Sequence, residues 1–173
     1  MTISLFDISV ATYLQTLNAV AGVLEKGKAH CSDNGIDLDD VVSTSLYPDM
    51  APFRFQITSV AHHSVGTMDA LESGSFGPPS GFPEYDYEGL QGLINERLES
   101  LKAYTPEAVN AFEANDVTFK LGEMKMPFTA TNFVLSFSHP NLYFHAATAY
   151  DILRMKGVPV GKRDFMGMPR LKT

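Results

Sequence analysis

The stretch FRFQITSVAHHSVGTMDALE, Phe53 to Glu72, decides the fold. At about 100° per residue, Phe53, Ile57, Val60, Ser64, Met68 and Leu71 fall on one face, which predicts an amphipathic helix with that face in a core. The same phase sends His62 to the opposite, solvent side and puts His63 about 110° from the core centre, at the edge of the buried face. Gln56 and Thr67 share that flank, so a polar strip Gln56–His63–Thr67 runs beside the core. Pro52 and Gly74 bound the segment. Proline fits a helix start, where the first N–H groups have no partner, and glycine adopts the left-handed turn that ends a helix.

Working outward, three further segments carry the helical period. Upstream, Val10, Leu14, Leu17, Ala21 and Leu24 recur at three- and four-residue steps, with Ser4 and Asp7 as a capping pair and Gly35 as terminator. Asp37 to Tyr47 holds a short helical turn before Pro48 to Pro52 resets the chain. Downstream, SGSFGPPSGFPEY (73–85) is a Gly/Pro-rich connector that cannot be regular helix. Asp86 caps a third helix with Leu90, Ile94, Leu98 and Leu101 as its stripe, and Thr105-Pro106-Glu107 starts a short extra helix. The period then switches to two. Val117, Phe119 and Leu121 alternate, Gly122-Glu123 turns, and Met126 and Phe128 alternate again, which predicts a β-hairpin. Thr131 is read as the cap of the last helix, which runs to Lys156 and stops at Gly157 with Pro159 behind it. The expectation is one domain over residues 1–173, an all-α bundle of four main helices with a small β-hairpin before the last.

Composition agrees. The chain of 173 residues is 45% hydrophobic and 19% charged, ordinary for a folded domain. No apolar run approaches the roughly 18 residues that span a bilayer, and Asp7 interrupts an N-terminus without a basic n-region, so neither a membrane span nor a signal peptide is expected. The single cysteine, Cys31, has no partner for an internal disulfide, and a cytoplasmic location is expected. A net charge of −7 disfavours nucleic acid as a partner. Arg154, Lys156, Lys162, Arg163, Arg170 and Lys172 nevertheless crowd the C-terminus, where pairing with the protein's own acidic surface is the simplest role.

Histidines are the chemical lead, because no phosphate loop, nucleophile elbow or HExxH motif is present. Of the five, His63 sits on the strip described above. On the last helix, Ser138, Asn141, His145, Thr148 and Ala149 form a second strip, with Pro140 disturbing the phase upstream of it. His139 lies about 120° from His145, with Tyr143 and Tyr150 nearer its side. Two helices thus each present one imidazole beside apolar residues. Three roles stay open: hydrogen-bonded polar groups that set helix register, ligands to a divalent zinc, nickel or iron ion, or the lining of another small-molecule site. The candidate ligand-binding set is His63, Asn141, His145, Gln56 and Tyr143, with His63 and His145 as metal ligands.

PNLYFHAATAYDILRMKGVPVGKRDFMG, Pro140 to Gly167, resembles the signature of an uncharacterised bacterial family, the domain of unknown function numbered nineteen ninety-three. The resemblance extends to SLFDISVATYLQTLNAVAGVLEKGKAH, to LYPDMAPFRFQITSVAHH and to the hairpin. It implies a place in the DinB/YfiT-like superfamily of four-helix bundles, often dimeric, many regarded as metalloenzymes and several acting as thiol-dependent transferases or isomerases. It also implies a metal triad with one histidine from the second helix and two, four residues apart, from the last. His63 and His145 match two positions, and Asn141 stands at the third. The resulting expectation is a small-molecule-binding bundle, homodimeric through exposed faces of the first and third helices. The alternative is a divalent-metal-dependent hydrolase or thiol transferase. In Gly161-Lys162-Arg163-Asp164-Phe165, the two cations are expected to pair with acidic groups while Phe165 packs back onto the bundle.

Overall fold

The computed structural model describes residues 3–79, 81 and 83–172; Ser80 and Phe82 of the Gly/Pro-rich connector lie outside the described residues. A capped turn, α1 (Leu5–Ile8), leads into the long helix α2 (Val10–Asn34), which Gly35 ends in the left-handed region at φ 65°. The short α3 (Leu38–Ser43) precedes α4 (Phe53–Ser73), with Pro52 at its N-cap and Gly74 at φ 75° closing it. Then come β1 (Ser75–Phe76), α5 (Tyr87–Lys102) capped by Asp86, and α6 (Pro106–Asn110) capped by Thr105. Strands β2 (Asp116–Leu121) and β3 (Met124–Thr129) form the hairpin, turning at Gly122 with φ 56°. The last helix is continuous but not uniform: α7 (Ala130–Phe133), a π turn (Val134–Ser138), then α8 (His139–Met155). A final turn, α9 (Lys162–Met166), folds back onto α2.

The chain is therefore a helical bundle with a small sheet inserted before its last helix, as the periodicity predicts. Helix α4 packs most extensively on α8, α2 packs on α5, and α4 also packs on α5. Tyr13, Leu17 and Leu24 of α2 join Phe53, Ile57 and Met68 of α4 and Leu90, Ile94 and Leu101 of α5 in one fully buried cluster. Burial of a side chain of that size is worth roughly 1.5–3 kcal/mol, so each stripe holds its helix in place.

Two details differ from the expectation. The sheet has a third strand, because β1 pairs in parallel with β2, Ser75 opposite Thr118 and Phe76 opposite Phe119. The cap of the last helix is Thr129, whose hydroxyl accepts the Asn132 N–H, and Thr131 lies inside the first turn; the ladder of β3 runs directly into the helix and leaves no linker for a later cap. The large apolar side chains exposed among the described residues lie elsewhere than on α2 or α5.

Gly27, inside α2, shows what the packing demands. The Tyr87 ring stacks on Phe53 at 5.9 Å, and its hydroxyl donates to the Leu24 carbonyl at 2.9 Å. A Cβ on Gly27 would overlap that hydroxyl, whereas one on the exposed Gly22 would meet nothing within 4 Å. Helix propensity alone makes Gly→Ala favourable by up to about 1 kcal/mol. Urea denaturation should show that gain for Gly22→Ala. Gly27→Ala should instead lose about 1–3 kcal/mol, the cost of overpacking.

Candidate functional site

The site begins at Pro140. Its missing N–H and its ring are incompatible with a regular helical bond to the carbonyl four residues back. The helix widens just upstream, so that the His139 N–H reaches the Val134 carbonyl in a π turn. Such a turn shifts the side-chain phase, and it leaves Ser138 wholly buried against α2 and α4. There the Ser138 hydroxyl donates to the His63 carbonyl at 2.8 Å and lies 2.8 Å from the Tyr13 hydroxyl. The Thr67 hydroxyl completes the cluster, 2.9 Å from both the His63 carbonyl and Ser138 Oγ. Three helices are tied through the Ser138 hydroxyl.

This register brings His63 and His145 together. Their rings lie 5.9 Å apart, centre to centre, and within 15° of parallel. His63 is buried and His145 half-buried. The His63 ring is walled by Phe76 of β1 at 5.4 Å and Phe137 of the π turn at 6.0 Å. Phe55 and Phe144 meet the His145 ring edge-on at 5.7 and 5.3 Å.

Hydrogen bonds settle one tautomer. The buried Gln56 donates its amide to the Ala51 carbonyl at 2.7 Å, so its oxygen is the atom 2.7 Å from His145 Nδ1. An amide oxygen only accepts, hence His145 carries its proton on Nδ1 and keeps Nε2 as an acceptor. Nδ1 of His63, by contrast, is buried without any hydrogen-bond partner. Burial lowers both pKa values: His63 falls to about 3, helped by its two histidine neighbours, and His145 to about 4. At neutral pH the pair is uncharged.

The other expected residues are placed differently. Asn141 turns its amide back along its own helix, donating to the Phe137 carbonyl at 2.7 Å. Tyr143 lies on another flank with His139, their rings 5.7 Å apart. His62, expected in solvent, is half-buried under Phe76 at 4.5 Å, with Nε2 donating to the Gly77 carbonyl at 2.9 Å. The pairing of β1 with β2 drew that segment across it, which no local pattern announces. Gly66 makes the room, since a Cβ there would crowd His62 at 3.1 Å. In the C-terminal motif Phe165 packs against Tyr150 as expected, but it is Asp164 that forms the ion pair, with Lys26 at 2.6 Å, while Lys162 and Arg163 make none among the described residues.

A three-ligand metal centre does not fit these residues. Among the described residues no three His, Cys, Asp or Glu side chains are grouped to hold an ion. A metal-bound imidazole also rests its second ring N–H on an acceptor. Gln56 supplies this for His145, and nothing supplies it for His63.

Compared with known families, residues 5–166 match the one described as Domain of unknown function (DUF1993). Among solved structures, a DinB family member from Shewanella denitrificans superposes with a TM-score of 0.78 at 23% sequence identity, covering 98% of this chain and 95% of that one, a likeness of fold. No match is found among curated proteins.

The neutral pair has a measurable consequence. An unfolded histidine titrates near pH 6.5, so between about pH 6.5 and 4 the unfolded chain binds protons that the folded one refuses. Stability is full above that window and falls as the pH drops through it. Urea unfolding at pH 5 should show His63→Phe taking up about one proton fewer than the parent protein. An unchanged pH slope would mean that His63 is not held neutral.

Proposed function

On the premise that the chain belongs to the DUF1993 family, we propose that it is a DinB-like bundle that binds a small neutral molecule at the His63–His145 pair, without a requirement for catalysis. The observation that carries this reading is the unpartnered Nδ1 of His63. A buried polar atom with no hydrogen bond costs roughly 1–3 kcal/mol, and a ligand that bonds it removes that cost. His145 beside it is half-buried and the more exposed of the pair. Its Nε2 acceptor, fixed by Gln56, supplies a directional contact.

The ligand class follows from charge and lining. Both imidazoles are neutral at physiological pH, so a charged group gains no ion pair there. Phe55, Phe76, Phe137 and Phe144 offer ring faces and edges for an apolar or aromatic body. Asn141 contributes at most its amide oxygen, the nitrogen being held by Phe137. Tyr143, on the other flank, takes no part in this reading.

One rival keeps a specific support. Two imidazoles sharing a tetrahedral ion place their ring centres about 5–6 Å apart, close to the 5.9 Å seen here. Native mass spectrometry and metal analysis of protein purified without a polyhistidine tag separate the two. The proposal expects an organic adduct, or a stabilising hit from neutral aromatic fragments, that disappears in both His63→Ala and His145→Ala. Stoichiometric zinc, nickel or iron lost in the same variants would replace it with a metal-dependent enzyme.

A further inference from the structure

On the opposite flank of the last helix lies a cleft of about 630 Å³ that the histidine pair does not touch. Spaces of roughly 300–1,000 Å³ are those that small molecules occupy. Its apolar lining comes from Ile3 and Ile8 at the N-terminal end and from Phe165 and Met166 of α9. Thr12, Thr16 and Tyr143 line it too, the two threonine hydroxyls donating to the Asp7 and Thr12 carbonyls. His139 also faces it, with Nε2 donating to the Ile8 carbonyl at 2.7 Å and Nδ1 left as an acceptor.

The cleft is built by the C-terminal segment. Gln15 donates to the Met166 carbonyl at 2.9 Å, and Gly167, at φ 62°, lies so close to α2 that a Cβ would crowd Ala19 and the Gln15 carbonyl at 3.2 Å. The chain then returns Arg170 to the cleft rim. Its Nη1 donates to the Asp7 carbonyl at 3.0 Å and its Nη2 to Thr12 Oγ1 at 3.4 Å. A guanidinium has five N–H donors, so the remaining ones are available to a ligand. The one carboxylate on the rim, Asp7, spends Oδ2 on the backbone N–H and hydroxyl of Ser4 at 3.1 and 2.8 Å.

We propose that this cleft binds a small amphipathic monocarboxylate, its carboxylate on Arg170 and Tyr143 and its hydrocarbon body between Ile3, Ile8, Phe165 and Met166. A planar guanidinium is the natural partner of a carboxylate. A phosphate ester fits less well: its second negative charge would face one cation and the nearby Asp7. An ammonium fits less well again: one Asp7 carboxylate oxygen is held by Ser4, and the Arg170 cation beside it repels a second positive charge. The apolar walls exclude a fully polar anion.

The probes are octanoate, octan-1-ol, octylamine and octyl phosphate, measured by calorimetry and by amide shift mapping on the intact chain. Octanoate should bind at least about tenfold more tightly than each of the others, weaken with added salt, and perturb residues around Thr12, His139 and Tyr143. Arg170→Gln should lose about tenfold and erase the preference over octan-1-ol. Tyr143→Phe, which leaves the contacts of the C-terminal segment intact, should lose about threefold, and His145→Ala should change nothing. Equal binding of octanoate and octan-1-ol, preference for the phosphate or amine, an unchanged affinity in Tyr143→Phe, or shifts centred on His145 would overturn the proposal. Loss of the adduct at the His63–His145 pair leaves it standing.

Discussion

The arrangement turns on a hydrogen bond that Pro140 cannot make. A regular helix through that position would drive the pyrrolidine ring into the preceding turn, and the π turn over Val134–Ser138 absorbs the conflict. The extra residue in that turn aims Ser138 at the centre of the bundle, where its hydroxyl donates to the His63 carbonyl and meets the hydroxyls of Tyr13 and Thr67. Each hydroxyl there has a partner, as a buried polar group requires. The network thereby sets α8 against α4 in the one register that stacks His145 over His63. A helix start without the proline would point a different set of side chains at α4.

Around this register, burial outweighs charge. His62, His63, His139 and His145 all have lowered pKa values, with desolvation the first cause in each. Three of them rest a ring nitrogen on an oxygen that can only accept: Gly77, Ile8 and Gln56. Those bonds fix which nitrogen carries the proton and leave the other as an acceptor. The fourth, His63, has no such partner and is the more costly for it. An acidic chain thus contains a set of neutral imidazoles, and its cations lie toward the surface: Lys26 on Asp164, Lys156 near Asp40 and Arg170 across the N-terminal turn.

What the sequence makes legible is whatever repeats at 3.6 or 2 residues. The stripes of α2, α4 and α5, the hairpin, and the glycine stops at Gly35 and Gly74 follow from local chemistry. The approach of His63 to His145 was legible too, because each phase is set within its own helix and the two helices are obliged to pack. Contacts made by segments far apart in the chain were not. Phe76 closes over two histidines because a two-residue strand finds β2, and a two-residue strand has no period to read. Asn141 occupies a ligand position in the sequence pattern, yet its side chain is taken by a carbonyl one turn away. The C-terminal cations suggested a tail paired with acidic groups. The decisive contacts of that tail, Gln15 to Met166 and Arg170 to Asp7, use backbone oxygens, which every residue has and no motif marks.

The parallel pairing of β1 with β2 also joins distant parts of the chain. Its partners, Ser75 and Thr118, are separated by more than forty residues, including the whole of α5, whereas the α4 helix and the hairpin need only near neighbours. Closing so long a loop costs entropy that the local contacts of the hairpin avoid. The wall beside the histidines therefore hangs on a two-residue strand, and a local opening of that strand would uncover the Phe76 side of both rings.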